Sequence, residues 1–226
     1  MTEYSVVLPA GGKGTRLRSN KPKLTTRFID DEFLWEKQIN IINRTLNNPD
    51  ITYVLGFEHN KIEKKLSKYA NIVINKNFEE TNVAYGISLG IKQTKTPNIL
   101  IIYGDLFFNE ECLIHIKNSG ENSFVLINRT TMEKDEVGCL AIQKKVDRFD
   151  YGFDIMWGQI AYLKESEKQN FVESSFKYSN KLGFEVLNIL INQHSYFDVI
   201  EPKKGIIFDI DSCKDLNKVN RILEIK

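Results

Sequence analysis

Cysteine, histidine and long apolar runs are all scarce in this chain of 226 residues. Its three cysteines, Cys112, Cys139 and Cys213, are odd in number and far apart. That excludes a disulfide framework and reads as buried thiols in a reducing cytoplasm. His59, His115 and His194 stand alone, so no Cys/His spacing suits zinc. No stretch approaches the roughly 20 apolar residues that span a bilayer. Met1, Thr2 and Glu3 lack the basic start and apolar centre of a secretory leader. Charge of one sign is missing too: 31 basic residues balance 30 acidic ones, spread along the chain. Neither nucleic acid nor a membrane surface is therefore an expected partner. The chain also has no Pro/Gly/Ser-rich linker, low-complexity run or repeat, so one domain over 1–226 is expected, as a monomer or a homodimer.

What is present is concentrated near the start. A short apolar strand (Tyr4 to Leu8) runs into L-P-A-G-G-K-G-T-R-L-R-S-N-K-P-K, from Leu8 to Lys23. A glycine-rich turn lets backbone N–H groups approach phosphate oxygens, and the flanking cations offset their charge. The common phosphate loops do not match. A P-loop needs Ser or Thr after its lysine, but Lys13 is followed by Gly14. The dinucleotide fingerprint fits at Gly12 and Gly14 and fails at Leu17.

Organisation differs between the two halves. In the first, apolar runs at Val6–Leu8, Tyr53–Leu55, Ile72–Ile74 and Ile99–Tyr103 alternate with segments of helical spacing near Phe33–Leu46, His59–Tyr69 and Val83–Gln93. That alternation predicts a parallel sheet with helices on its faces. Ligands in such sheets sit beyond the carboxyl ends of the strands, so the glycine loop and Gly104-Asp105 are expected on one edge. The second half reads as strands at Ser123–Asn128, Val137–Gln143, Gly158–Leu163, Phe197–Ile200 and Ile206–Phe208, with helices near Leu182–Gln193 and Lys214–Glu224. The segment Lys144–Trp157 reads as a hairpin or a lid. The first half, 1–120, is expected to hold the nucleotide and the second, 121–226, the acceptor.

A phosphate-rich site also needs acidic metal ligands. Asp105 ends a very apolar strand, where it is either a ligand or a turn residue. In F-D-I-D-S, alternation puts Asp209 and Asp211 on one face and Ile210 on the other. These two either bind metal or cap the following helix, although Asp215 is better placed to cap it.

Together, Leu8 to Leu24, the strand ending in Gly104-Asp105, and F-D-I-D-S-x-x-D-L resemble the GT-A-like nucleotidyltransferases, which include sugar-1-phosphate nucleotidylyltransferases and phosphocholine-type cytidylyltransferases. The resemblance implies a three-layer α/β/α sandwich with a mostly parallel, Rossmann-like central sheet. It implies transfer of a nucleoside monophosphate from an NTP to a phosphorylated small molecule, releasing pyrophosphate, with Mg²⁺ as cofactor. The nucleotide would lie along Leu8, Ala10, Gly11, Gly12, Gly14, Thr15, Arg16, Thr81, Asn82, Ser88 and Asp105. Arg16 and Lys23 would act on the reacting phosphates. Asp105, Asp209 and Asp211 would hold the metal, and Lys23, Trp157 and Glu185 would meet the acceptor. The segment Glu79 to Leu89 resembles the base-facing stretch of the cytidylyltransferases, which favours CTP, although Asn82 also suits a helix cap. Trp157-Gly158-Gln159 departs from the N-G-G of the sugar enzymes. Tyr151, Phe153 and Trp157 form either an amine cage or one face of a strand.

Two other classes stay in view. A GT-A glycosyltransferase would show a D-x-D after the fourth strand, where this chain has Asp105-Leu106-Phe107. A non-catalytic nucleotide-binding module would lack the three aspartates.

Overall fold

The protein is described as a computed structural model over residues 4–14, 21–114, 116, 122–129 and 136–224. β1 (Ser5–Ala10), β2 (Asp50–Leu55), β3 (Asn71–Ile74) and β4 (Ile99–Ile102) form the parallel part of the main sheet, in the order β3-β2-β1-β4. Their apolar runs are nearly continuous because both faces are covered. Val6 and Leu8 join one buried cluster with Leu100 and Ile102, while Val7 joins the opposite cluster with Ile99 and Ile101. On the first face lie α1 (Leu34–Thr45), α2 (Glu63–Leu66) and α4 (Glu111–Ile114). On the second lie α3 (Val83–Ile91), α5 (Glu165–Lys177) and α6 (Gly183–Asn192).

The sheet as a whole is mixed, which corrects the expectation of a mostly parallel one. β6 (Ser123–Asn128), β7 (Val137–Ile142), β8 (Lys145–Tyr151), β9 (Met156–Leu163) and β10 (Phe197–Ile200) continue it in the order β4-β9-β6-β10-β8-β7. β9 runs antiparallel to both β4 and β6, and only β10 is parallel to its neighbour β6. The cause is the hairpin β7–β8, which reverses the chain without a crossover helix. Its turn, Gln143-Lys144, has both residues at positive φ, the conformation that matches strand twist in two-residue hairpins. Lys144–Trp157 is thus mostly hairpin strand. Among the described residues no helix is long and apolar enough to cross a membrane.

Three further differences have physical causes. The His59–Tyr69 helix is only a 3₁₀ turn at His59–Lys61 followed by α2, with Ile62 and Leu66 buried and Tyr69 exposed against Trp35. α5 was not expected, because Phe171 is its one fully buried large apolar residue and Ser174 and Ser175 complete its inner face. Cys213 is exposed at the start of α7 (Cys213–Glu224), whereas Cys112 and Cys139 are buried thiols whose burial pushes them up to about 11 and about 12.

Gly104 brings the site together. Its N–H donates to Pro9 O at 3.0 Å, and a Cβ there would meet Ala10 Cβ at 2.6 Å and Pro9 O at 2.7 Å. Only glycine lets the ends of β1 and β4 approach this closely. Gly104→Ala is expected to lower stability by about 1–3 kcal/mol, as overpacking does, measured by urea denaturation.

Candidate active site

The cleft lies beyond the carboxyl ends of β1 and β4 and encloses about 700 Å³. Gly11, Gly12 and Gly14 line one wall, and a Cβ at Gly12 would meet nothing within 4 Å. Gly14 is at φ +59°, and a Cβ there would sit 2.8 Å from Lys23 Cγ, so the loop closes onto the lysine stem. Lys23 opens a 3₁₀ turn, Lys23–Thr25, preceded by Pro22, which fixes the chain direction entering it.

The acidic side is set by a second, two-stranded sheet. β5 (Leu106–Phe108) pairs antiparallel with β11 (Ile207–Asp209), so that Asp209 faces Leu106. The Ile210 N–H donates to Asp105 O at 2.9 Å. Ile210 is fully buried with Phe28, Leu34, Phe107 and Val219, which turns its two flanking carboxylates the other way, toward the cleft. Asp105, Asp209 and Asp211 each offer one carboxylate oxygen, all within 4.8 Å of one another.

Lys23 sits among them. Its Nζ donates to Asp105 Oδ2 at 2.9 Å and pairs with Asp211 Oδ1. Burial alone would lower the ammonium pKa, but the charges of Asp105, Asp209 and Asp211 outweigh it and hold the group well above the ordinary lysine value. At Asp209 the pull of Lys23 is outweighed. Asp209 is pushed up to about 8, first by burial and then by the Asp105 charge, against the pull of Lys23. Among the described residues, Asp105 Oδ1 and Asp209 Oδ1 are buried without a hydrogen-bond donor. Buried oxygens left in this way are costly. An all-oxygen donor set with uncompensated charge fits a hard divalent cation.

The sign of the pH dependence follows. An unfolded aspartate releases its proton near 4, whereas folded Asp209 keeps it until about 8. Between those values the folded chain binds more protons than the unfolded chain, so stability falls as pH rises. In chelator, the urea midpoint is expected to fall from about pH 5 to about pH 8, and Asp209→Asn to flatten that slope.

No protein-family model matches the sequence. Among curated proteins, the bifunctional protein GlmU of Francisella tularensis is 29% identical over 102 residues, which is 45% of this chain and 22% of that protein. The match therefore spans about a fifth of the relative's length. Solved structures match over nearly the whole chain. The inositol-1-phosphate CTP transferase from T. maritima superposes with a TM-score of 0.85 at 17% identity, covering 99% of this chain and 96% of that one. The CTP:phosphocholine cytidylyltransferase LicC from Streptococcus pneumoniae gives 0.76 at 18%, covering 97% and 98%. The fold is that of the nucleotidyltransferases. A putative glucose-1-phosphate thymidylyltransferase from Bacillus anthracis shares it at a TM-score of 0.77 and 13% identity, covering 97% of this chain and 94% of that one.

Within the nucleotidyltransferase fold, the expected residues separate into three groups. Ala10, Gly11, Gly12, Gly14, Lys23, Thr81, Asn82, Asp105, Trp157, Asp209 and Asp211 all line the cleft. Asn82 caps α3, its Oδ1 accepting from Val83 N at 2.8 Å, and it also lines the cleft. Leu8, Ser88 and Glu185 do not line it. Leu8 is fully buried in the sheet, and the Ser88 hydroxyl donates to Ala84 O inside α3. Glu185 caps α6, accepting from Leu182 N and Lys181 Nζ, both at 2.7 Å. Thr15 and Arg16 lie outside the described residues.

Other residues of the cleft were not anticipated. Asn75, buried at the end of β3, donates from Nδ2 to Thr81 Oγ1 at 3.1 Å and accepts from Asn77 N, which orders the wall before α3. The strand-end rule that located Asp105 would have located Asn75 as well. At the opposite wall, Tyr103 meets Trp157 edge-on at 5.5 Å, and Tyr151 meets Phe184 edge-on at 5.6 Å. Trp157 is buried, and its Nε1 has no partner among the described residues. Tyr151 and Trp157 face the cleft, whereas Phe153 packs under Arg148 instead.

Proposed function

We propose that the protein is a Mg²⁺-dependent nucleotidyltransferase that joins a nucleoside monophosphate to a phosphorylated small molecule. The observation that carries this is the meeting, in one cleft, of the glycine loop, Lys23 and three carboxylates on a nucleotidyltransferase fold. In the reaction, an acceptor phosphate oxygen attacks the α-phosphorus of the NTP, and the bond to pyrophosphate breaks. Two anions must approach, so catalysis rests on positioning and charge neutralisation. Asp105, Asp209 and Asp211 would hold Mg²⁺, which would supply part of that neutralisation. Lys23, fixed between Asp105 and Asp211, supplies a second positive charge without reorganising. The N–H groups of Gly11, Gly12 and Gly14 suit the triphosphate, and Thr15 and Arg16, next in the sequence, are assigned to it as well. Thr81 and Asn82 suit the base.

CTP is the nucleotide we favour, because Glu79 to Leu89 resembles the base-facing stretch of cytidylyltransferases and two of the matching structures are CTP enzymes. The acceptor belongs against the aromatic wall of Tyr103, Tyr151, Trp157 and Phe184, which suits the apolar face of a sugar or cyclitol, or an amine, beyond its phosphate. Four NTPs should be screened against sugar 1-phosphates, inositol phosphate, phosphocholine and related phospho-amines, with pyrophosphate as the readout. Mg²⁺-dependent release with one pair, and loss of release in chelator, is expected. Nucleotide binding without release for any pair would favour the non-catalytic reading instead.

A further inference from the structure

Seven described residues other than glycine have positive φ, and six of them lie in turns or bends: Asp31, Asn48, Glu58, Gln143, Lys144 and His194. Gln159, at φ +54°, lies inside an eight-residue strand, β9. Left-handed backbone disfavours a side chain and persists when its surroundings over-determine it. The surroundings here are specific. The register between β6 and β9 shifts between Val125 and Ile127, so β9 carries extra residues at this point. Gly158 is pinned: a Cβ there would meet Ile207 Cδ1 at 2.9 Å and Leu126 O at 3.2 Å. The Gln159 carbonyl accepts from Tyr103 N at 3.3 Å.

The result is that the Gln159 side chain enters the cleft with its Nε2 3.5 Å from Asp209 Oδ2, the outer limit of a hydrogen bond. Asp209 Oδ1, its other oxygen, is buried without a donor among the described residues. Asp105 shows the same division, with Oδ2 on Lys23 and Oδ1 unengaged. At Asp105 and at Asp209 a protein donor thus lies at one carboxylate oxygen and the other is left for a ligand.

We propose that the strained bulge in β9 makes Gln159 a positioning residue: its amide orients Asp209 so that the opposite carboxylate oxygen faces the cation site. Gln159 does not bind the cation and does not touch the reacting phosphates. The inference rests on the divalent-cation reading of the three aspartates. Partners of this kind, one step behind a metal ligand, typically set 10- to 100-fold in metal affinity.

Two variants separate strain from orientation. Gln159→Gly removes both the strain and the amide. Gln159→Met keeps the strain and the side-chain length but loses the amide. Each is melted without metal and then with increasing Mg²⁺, no substrate being present. Gln159→Gly is expected to raise the metal-free Tm by about 2–4 °C, and Gln159→Met not to raise it. Both are expected to increase the Mg²⁺ concentration giving half of the stabilisation by about tenfold. A half-point within twofold of wild type in both variants overturns the proposal. So does a shift in Gln159→Gly alone, because the backbone and not the amide would then orient Asp209. A metal-free Tm that falls in Gln159→Gly overturns the strain argument. If Mg²⁺ does not stabilise wild type at all, the cation reading itself fails, which is a separate result.

Discussion

Replacing Lys23 by alanine is expected to reduce turnover by about 10²- to 10³-fold, the loss typical of removing one preorganised charge from a reacting centre. The effect should fall on kcat, because Lys23 is held in place by Asp105 and Asp211 before any substrate binds. Arginine should not restore it, since a planar guanidinium cannot occupy a site shaped around a single point charge. The same change removes the cation that pairs with Asp105 and Asp211 and lies within the field of Asp209. Stability without metal should therefore fall, toward the low end of the about 3–5 kcal/mol seen when a buried pair loses one partner. It falls at the low end because the Lys23 side chain retains 18% exposure. Steady-state pyrophosphate release and urea denaturation in chelator measure the two effects separately. A variant that loses stability but keeps its turnover would assign Lys23 a structural role only.

Asp209→Asn should separate function from stability in the opposite direction. Lost neutralisation of charge at the reacting phosphates is a matter of several kcal/mol, hence a fall of about 10²- to 10³-fold in turnover. Without metal the variant should melt higher than wild type. Asparagine is neutral as it stands, whereas Asp209 must take up a proton on folding because burial and the Asp105 charge oppose its ionisation. Each 1 kcal/mol gained corresponds to about 2–4 °C in a chain of this size. Activity loss together with a lower Tm would mean that Asp209 supports the fold and does not serve as a ligand.

Much of this site could be read from the chain before its structure. The runs at Val6–Leu8 and Ile99–Ile102 are apolar at every position because they are buried on both faces, and that alone predicts strands with functional carboxyl ends. Alternation through Asp209-Ile210-Asp211 gave the correct facing, because Ile210 had a core to enter. The strand directions in the sheet's second half were not legible. Strand propensity does not distinguish a parallel from an antiparallel neighbour, and the turn at Gln143-Lys144 lacks the Asn-Gly or Asp-Gly that marks a hairpin. Glu185 carried a signal that was available, an acidic residue three positions into a helix, where capping is the usual role. Gln159 carried none. Its significance lies in a backbone angle that neighbouring strands impose, and glutamine has no preference that announces it.

The pairing of β5 with β11 has a consequence for the order in which the protein is made. Lys23 and Asp211 meet across 188 positions of sequence. At synthesis rates of about 5–20 residues per second, the glycine loop and Lys23 wait about 10–40 s for Asp211 to appear. Asp105 follows Lys23 by 82 positions, so in the later part of that interval the nascent chain holds the glycine loop, Lys23 and Asp105 without the strand that brings Asp209 and Asp211 to them. The cluster of Asp105, Asp209 and Asp211 therefore comes together late and in one step, when β11 pairs with β5.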